Sequence, residues 1–393
     1  MKSGYKTIEE LVVRVDERNF NNETNVLLGV SIDKCFIPSV ANTIGTDLTK
    51  YKLIRKNDFA VSLMQVSRDS RIPIARQKEY DVAIMSPAYP IFRVKNPDEI
   101  LPEYLEMWFK RDEFDREAAF IAVGGVRGSM PWNEFAQMQV YAPDIEQQKK
   151  IVEAYKIVED RIELKQKIND NLAEQCSCIL YNQYTADISN GKTWTKYRVQ
   201  DLIDMEYIEA PMDGNHGEIH PKVSDYVSSG VPFIMANNLA DGFVDFSQCA
   251  FVTEKQAKTL RKGFAKPDDV LLTHKATLGR VAIVPMNYKY IILTPQVTYY
   301  RIKKWLSNIY LRYYFASSYF QSVLESFAGG GSTRAYIGIT KQYELPIYLP
   351  CKSSMESITK VLSSLERVRT LNQAEIIGLK TVRDTMVSQL SSR

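Results

Sequence analysis

One stretch of this sequence occurs twice, with the second occurrence 207 residues after the first. Residues 120–143 read FIAVGGVRGSMPWNEFAQMQVYAP, and residues 327–350 read FAGGGSTRAYIGITKQYELPIYLP. Both run from Phe to Pro over the same number of residues, and Arg127 corresponds to Arg334. Solenoid repeats have periods of about 20–50 residues, so this period is too long for one. The pattern predicts an internal duplication of one large unit.

The similarity continues upstream of the repeated stretch. PEYLEMWFKRDEFDREAAF aligns with SNIYLRYYFASSYFQSVLESF, and both segments predict short amphipathic helices with aromatic faces. Further upstream, residues 56–58 (KND) align with residues 266–268 (KPD) at an offset of 210. The aligned aromatic pairs are Tyr104 with Tyr310, Phe109 with Phe315, and Phe114 with Phe320.

Each copy of the stretch is followed by a segment with heptad spacing. After Pro350, the spacing from Met355 to Leu390 alternates between three and four residues without a break. After Pro143, Asp144 is a suitable helix cap, and an apolar stripe follows, which Ile168 and Leu172 continue with a slip. We expect two long helices that pair as an antiparallel coiled coil; the alternative for either segment is a long amphipathic helix packed on its own domain. The apolar spacer positions are Ile151, Tyr155, Val158, Ile162, Ile358, Leu362, Leu365, Ile376, Leu379 and Met386, and Arg369, Asn372 and Arg383 are polar members of the second seam.

The remaining segments mix short runs rich in Val, Ile and Tyr with Gly, Pro and Asn turns, which is typical of strands in a mixed domain. The predicted fold class is therefore α+β, with two mixed α/β domains separated by the two long helices and related by an internal pseudo-two-fold. The predicted boundaries are 1–143 for the first domain, 144–181 for the first helical spacer, 182–195 for a polar linker, 196–350 for the second domain and 351–393 for the second spacer.

Composition excludes several classes of protein. The 393 residues carry a net charge of +3 and are 45% apolar, which is ordinary for a globular protein. No apolar run is long enough to span a bilayer, and the N-terminal residues lack the pattern of a signal peptide. Five scattered cysteines argue against a disulfide framework. We therefore expect a cytoplasmic protein that does not enter the membrane.

Motifs for catalysis are missing. The sequence contains no nucleotide-binding G-x-x-x-x-G-K-[ST] loop and no Asn/Asp-Pro-Pro-Tyr/Phe tetrapeptide of an amino-methyltransferase; residues 86–89 (SPAY) are only a distant likeness. His216 and His220 stand four residues apart in a turn-like segment, and Cys176 and Cys178 have no second pair nearby, so neither pair predicts a metal site. We expect no catalytic residue, metal or cofactor in this chain.

Positive charge is concentrated in two stretches at similar places in the two domains. Residues 50–78 hold eight basic residues against two acidic ones, and residues 255–280 hold seven against two. Basic side chains neutralise phosphates, and polar neighbours such as Gln65 and Gln296 can read base edges. A solvated charged surface is the alternative explanation for either stretch. The candidate DNA contacts are Lys50, Lys52, Arg68, Arg71, Arg76, Arg127, His274, Lys275, Thr277, Arg280 and Arg334, of which Arg127 and Arg334 are equally candidates for fastening each domain to its helix.

These residues resemble the specificity subunit of type I restriction–modification systems along the whole chain. IEQQKKIVE after Pro143 is similar to the family's entry into its first helical region. FIPSVANTIGTDLTKYKLIRKNDFAV resembles one type of target-recognition domain, and GVPFIMANNLADGFVDF with KPDDVLLTHKATLGRVAIV resembles another. The second helical region begins CKSSMESITKVL and lacks the Gln-Gln pair, so this sequence departs from the family pattern there.

The resemblance implies a subunit without catalytic chemistry that binds a bipartite target in double-stranded DNA, one half-site per domain, with the helices as a spacer. It also implies two modification subunits, which bring S-adenosylmethionine, and two restriction subunits, which use ATP and Mg. Two other hypotheses remain open: a coiled-coil scaffold whose duplicated domains bind proteins instead of DNA, and a self-contained enzyme, against which the missing motifs argue.

Overall fold

The division of this chain falls within its two long helices, because the repeated mixed segments each pack on one part of both helices. The computed structural model describes residues 4–39, 45–64, 66–124, 128–329 and 335–391. Unit 1 comprises residues 1–164 with 375–393, and unit 2 comprises residues 165–374. The extents of the predicted domains stay predictions.

In its described residues, unit 1 contains three small sheets and five short α-helices. The strands are β1 (Tyr5–Thr7), β2 (Val12–Val15), β3 (Leu27–Val30), β4 (Phe36–Pro38), β5 (Lys52–Arg55), β6 (Phe59–Val61), β7 (Ile74–Arg76), β8 (Val82–Met85), β9 (Ile91–Val94) and β10 (Gln139–Tyr141), and the helices are α1 (Ile8–Leu11), α2 (Val66–Asp69), α3 (Pro102–Phe109), α4 (Asp112–Ile121) and α5 (Trp132–Gln137). The strand orders are β1-β10, β2-β9-β6-β7 and β4-β3-β8-β5, and β3 and β8 are paired in parallel.

Helix α6 (Ile145–Ser189) follows unit 1's last strand, and helix α12 (Lys352–Ser388) follows the last strand of unit 2. Unit 2 has strand orders β11-β23, β12-β22-β19-β20, β13-β17-β14-β21-β18 and β15-β16. Its strands are β11 (Thr195–Arg198), β12 (Met212–Asp213), β13 (Tyr226–Val227), β14 (Val231–Ile234), β15 (Leu239–Ala240), β16 (Phe243–Val244), β17 (Ala250–Val252), β18 (Phe264–Ala265), β19 (Val270–Lys275), β20 (Thr277–Ile283), β21 (Ile291–Leu293), β22 (Val297–Tyr300) and β23 (Pro346–Leu349), and its short helices are α7 (Val199–Asp204), α8 (Glu254–Ala257), α9 (Asn308–Ala316), α10 (Ser318–Phe327) and α11 (Ile339–Gln342).

The two units share one topology. The sheet β2-β9-β6-β7 corresponds to β12-β22-β19-β20, and the terminal pair β1-β10 corresponds to β11-β23. The parallel pair β3-β8 recurs as β14-β21, although the other pairings within these sheets are antiparallel. A parallel pair inside an otherwise antiparallel sheet is a specific feature, so its recurrence confirms the internal repeat.

The predicted aromatic helices are also present in both units. Helices α3 and α4 carry buried Tyr104, Phe109 and Phe114, and α9 and α10 carry Tyr310, Phe315 and Phe320, which are buried as well. In unit 1, Phe109 packs against Phe59 and Phe92 of the sheet. The duplicated aromatic positions therefore form the core of each unit.

A buried carboxylate repeats with a different register from the one that the sequence predicts. The Asp58 carboxylate accepts hydrogen bonds from Arg93 at 2.8 Å and from the Arg55 amide at 2.9 Å. In unit 2 the same arrangement is made by Asp269 with Arg301 at 2.9 Å and with the Lys266 amide at 2.7 Å. The offset of 210, which aligns Asp58 with residue 268, is thus wrong by one residue.

Helices α6 and α12 run antiparallel within each unit. In unit 1, Arg383 pairs with Glu159 and Arg161 pairs with Glu375; in unit 2, Lys165 donates to Asn372 at 2.9 Å. Every spacer position predicted from the sequence lies on a buried or half-buried face of its helix. At 1.5 Å per residue, the 45 residues of α6 extend about 68 Å, and the 37 residues of α12 extend about 55 Å.

The first helix differs from the prediction in two ways. The seam passes through Lys165 and Asn169 without a slip, and Ile168 is exposed. The reason is that the polar residues of α6 form hydrogen bonds with Arg369 and Asn372 of α12. The helix also continues to Ser189, so the first residues of the predicted linker 182–195 are helical. Asp187 stabilises this extension by accepting a hydrogen bond from Trp194 at 2.9 Å.

Gln148 fastens the start of α6 to unit 1. Its side-chain amide is fully buried; it donates to the carbonyls of Pro143 and Glu99 and accepts from the Leu101 amide at 2.9 Å. Asp144 caps the helix as predicted, by accepting from the Gln147 amide. Counted from the preceding Pro, the position of Gln148 is taken by Met355 in α12, which packs into the apolar core of unit 2. The buried Gln of the missing pair thus corresponds to an apolar contact.

Candidate nucleic-acid interface

The basic stretch of unit 1 is largely neutralised in space by carboxylates that are distant in sequence. Arg55 pairs with Glu17 and Glu23, and Lys78 pairs with Glu106 of α3. These acidic residues lie outside residues 50–78, so a count of charges within that stretch does not include them. The excess of positive charge at the surface is therefore smaller than the sequence predicts.

Two of the predicted DNA contacts in unit 1 lie inside this network. The Lys52 ammonium is buried, donates to the Tyr89 carbonyl at 3.0 Å and faces Asp16, and burial lowers its pKa. Arg76 is held between Glu103 and Glu106 at 2.7 and 2.9 Å. Both cations have structural partners that a phosphate would have to displace, so we remove them from the candidate DNA contacts.

Three other predicted contacts of unit 1 are exposed. The side chains of Lys50 and Arg68 are 76% and 63% exposed, and their partners, Asp47 and Asp69, are close neighbours in sequence. Arg71 is exposed and stands 3.8 Å from Asp33. Exposed ion pairs of this kind contribute about 0–1 kcal/mol, so these cations can exchange their partners for phosphates at little cost.

In unit 2 the tip of the β19–β20 hairpin presents Lys275 and Thr277 to solvent. Ala276 between them has a φ of +65°, the left-handed conformation that a tight turn requires. The Lys275 ammonium lies 5.7 Å from the ring centre of Tyr336, and Arg280 donates to the Leu239 carbonyl at 3.1 Å while remaining exposed. Three predicted contacts therefore lie on one exposed hairpin.

His274 does not belong to this exposed group. It is fully buried at the end of β19, and its Nδ1 is 2.9 Å from the Ile337 carbonyl. Burial lowers the pKa of the imidazole, which favours the neutral form. Its neighbour Ile337 belongs to the second copy of the repeated stretch, so His274 ties that stretch to the sheet. In unit 1 the same backbone position is taken by Leu63, which accepts from the Met130 amide. We therefore correct His274 from a DNA contact to a packing residue.

Arg127, Arg334 and Gln65 lie outside the described residues. The predicted contacts do not include Lys255, Lys258 and Arg261, which are exposed and pair with no carboxylate in the described part of the chain. They belong to the basic stretch of unit 2, and they differ from Lys262 of that stretch, which pairs with Asp213. They extend the candidate surface of unit 2.

Histidine and cysteine residues form no metal site among the residues that the structure describes. His216 Nε2 lies 2.8 Å from Asp213, and His220 Nδ1 lies 3.2 Å from the Asn215 carbonyl, so these rings are held by the turn itself. All five cysteines have free thiols. Within the described ranges, no helix is long and apolar enough to cross a membrane.

Comparisons with known proteins give a result at the level of structure alone. The sequence matches no protein-family profile and no curated protein. Three solved structures align over nearly the whole chain. The type I restriction–modification S subunit from M. genitalium is 12% identical, with 98% of this chain and 95% of that chain covered and a TM-score of 0.53.

A chain from a study of complex assembly and conformational transition of the type I R-M system is 15% identical, covers 99% and 98% of the two chains, and has a TM-score of 0.41. The HsdS subunit from Thermoanaerobacter tengcongensis is 16% identical, covers 99% and 97%, and has a TM-score of 0.35. On the first of the three alignments, this chain has the fold of a type I S subunit: mixed α/β domains with two long helices.

Proposed function

We propose that this chain is the specificity subunit of a type I restriction–modification system, a non-catalytic subunit that recognises a bipartite target in double-stranded DNA. The observation that carries the proposal is the duplicated mixed domain, each copy ending at a Pro that precedes a long helix, in a fold shared with the S subunit from M. genitalium over 98% of the chain. A protein with two equivalent domains suits a target with two halves.

In this proposal each unit reads one half-site. Lys50, Arg68 and Arg71 contact DNA from unit 1, and the hairpin with Lys275, Thr277 and Arg280 does so from unit 2. The paired helices act as the spacer. One turn of B-DNA is about 34–36 Å. A helix of 37 residues, about 55 Å long, exceeds one turn, so its length suits this role.

The proposal also requires partners, because we assign no chemistry to this chain. Two modification subunits would bind to the duplicated halves and bring S-adenosylmethionine, with the target adenine turned out of the duplex into their active sites. Two restriction subunits would add ATP- and Mg-dependent translocation and cleavage. The cytoplasm, where chromosomal DNA is accessible, is the compartment in which such a complex works.

The test is to express the chain with and without the modification subunit from the same genome, in a host that lacks adenine methylation. Sequencing of methylated adenines should give one split motif with two specific halves and a fixed spacing, and only when both subunits are present. Methylation by the chain alone would overturn the proposal. So would a complex that methylates without a split motif.

Binding measurements separate the proposal from a protein scaffold. The complex should bind duplexes that carry the motif more tightly than scrambled duplexes, and its affinity should fall as salt rises, because phosphate contacts release counterions. A scaffold would bind both duplexes equally weakly.

A further inference from the structure

Unit 1 has a pocket of about 410 Å³ where β8 and β6 end and β5 begins. Ser86 and Tyr89 follow β8, Ser62 follows β6, and Tyr51 precedes β5, so four hydroxyl-bearing residues converge from three chain segments. Ser39 and Ser129 also line the pocket, together with the apolar side chains of Leu28, Leu63 and Met130. The volume lies within the range of small-molecule sites in proteins.

Among the described residues, the lining of this pocket combines apolar side chains with hydroxyls and includes no acidic or basic residue. A hydroxyl can donate one hydrogen bond and accept others, so it can match either kind of group on a ligand. The hydroxyls of Ser62 and Tyr51 bond to no other described residue. A phosphate would need cationic partners. An uncharged ring with hydrogen-bonding groups suits the pocket better.

Among the described residues, cations stand beside the pocket and not in its lining. Lys50 immediately precedes Tyr51, and Gly128 immediately precedes Ser129. Gly128 packs so closely on α2 that an added Cβ would lie 2.3 Å from the Ser67 hydroxyl and 3.5 Å from the Arg68 amide nitrogen. The exposed Lys50 and Arg68 therefore flank a neutral pocket. In protein–DNA interfaces, contacts to phosphate position the protein and contacts to base edges specify the sequence.

The corresponding place in unit 2 is closed. Ser86 and Thr294 occupy equivalent turns, in which Tyr89 and Val297 donate to the residue three positions earlier at 3.1 Å. In unit 2, Gly214 lies against this strand end, and a Cβ added there would be 1.9 Å from the Leu293 carbonyl oxygen. Because of this contact with Gly214, Thr294 is only 4% exposed, whereas Ser86 is half-buried. The strand end at Ser86 in unit 1 is therefore open, whereas the equivalent strand end in unit 2 is covered.

From these observations we infer that the pocket binds one uncharged nucleobase of the half-site read by unit 1, with Ser62, Ser86 and Tyr51 selecting the base and Lys50 and Arg68 holding the adjacent phosphates. This inference rests on the proposed function and deepens it. It assigns sequence discrimination to hydroxyl groups and affinity to the flanking cations.

The test uses the chain in complex with its modification subunit and three conservative variants, Ser62→Ala, Ser86→Ala and Tyr51→Phe. Each complex is assayed by mapping methylated sites and by competition binding to duplexes randomised at one position at a time. Loss of a base contact should reduce discrimination by about 5- to 100-fold at one position of one half-site. Preferences at the other half-site should not change.

Ser322→Ala in unit 2 is the matched control, since Ser322 is exposed and its hydroxyl bonds only within its own helix, to the Ser318 carbonyl. The complex with this variant should methylate the same motif as the wild-type complex. Lys50→Ala should weaken binding to every duplex by a similar factor and leave base preference intact. Circular dichroism of each variant verifies that the fold is retained.

The outcomes separate the two ideas. If the wild-type complex recognises no split motif, the proposed function fails. If the wild-type complex recognises one and all three variants keep every base preference, the pocket inference is overturned while the function stands. A uniform loss of discrimination at both half-sites would also overturn the inference, because it would indicate a structural role.

Discussion

Lys52 and Arg76 illustrate what single residues contribute to this protein. Both belong to a basic stretch, yet each is held by carboxylates that lie 27 to 36 positions away in sequence. Composition within a window cannot include such partners, because strands bring them together only in the fold. The sequence shows which residues are basic. Which of these residues are exposed and which are buried depends on tertiary packing.

Glu106 is the centre of the charge network in unit 1. Burial opposes its ionisation, but the charges of Lys110, Lys78 and Arg76 prevail and lower its pKa from 4.5 to about 2. Because the folded-state pKa is the lower one, this stabilisation is present above pH 4.5 and is lost as the pH falls toward 2. We expect Glu106→Gln to lose on the order of 3 kcal/mol of unfolding free energy at pH 7, measured by urea unfolding.

The difference between this variant and wild type should shrink between pH 4.5 and pH 2. Glu146→Gln is the control, because Glu146 forms an exposed pair with Lys149 and should change stability by less than about 0.5 kcal/mol. If the free energy of unfolding of Glu106→Gln changed with pH in parallel with that of wild type, the network would not lower the pKa of Glu106.

At the scale of elements, the heptad pattern of α12 predicted its seam residue by residue, because one spacing rule governs a long helix. The seam of α6 was harder to predict, since Lys165 and Asn169 interrupt its apolar stripe. Polar residues in a seam are recognisable only with their partners, which here are Asn372 and Arg369 on the other helix. The short strands followed the Val- and Ile-rich runs, but their order in the sheets had no signal in the sequence.

Arg369 is the most connected residue of that polar seam. Its buried guanidinium donates to Glu366 at 2.9 Å, to the Asn169 carbonyl at 3.1 Å and to the Asp241 carbonyl at 2.7 Å. Arg369→Ala leaves a buried carboxylate and two carbonyls with fewer partners. We therefore expect a loss of about 3–5 kcal/mol in urea unfolding.

Arg367→Ala provides the comparison for this change. Arg367 is exposed on the same helix, so its replacement should alter stability by less than about 0.5 kcal/mol. Equal stability of the two variants would mean that the buried cluster serves no structural purpose.

For the molecule as a whole, the duplication was the strongest prediction from the sequence, because constant offsets between aligned aromatic residues are independent of any secondary-structure rule. What distinguishes the two domains was not predictable. Whether a strand end is open, as at Ser86, or covered, as at Thr294, depends on a loop contact at Gly214 that has no periodic signal. Candidate sites were therefore located less well than the architecture.

The duplication leads to a prediction for the proposed function. Strand β1 pairs with β10, so the first domain begins and ends at adjacent strands. Replacing residues 1–143 with another recognition domain should therefore change one half of the methylated motif. Methylome sequencing of the hybrid complex reads both halves at once. A change in both halves would contradict independent reading by the two domains.

The core of unit 1 includes Leu390, which packs with residues of the first domain although it lies 226 positions after Leu164. At about 5–20 residues per second, a ribosome needs roughly 11–45 s to make that interval. For this time the newly made first domain lacks part of its apolar packing, while the second domain is synthesised as a continuous segment. Unit 2 can thus finish folding first, and the half of the protein that is made earliest is completed last.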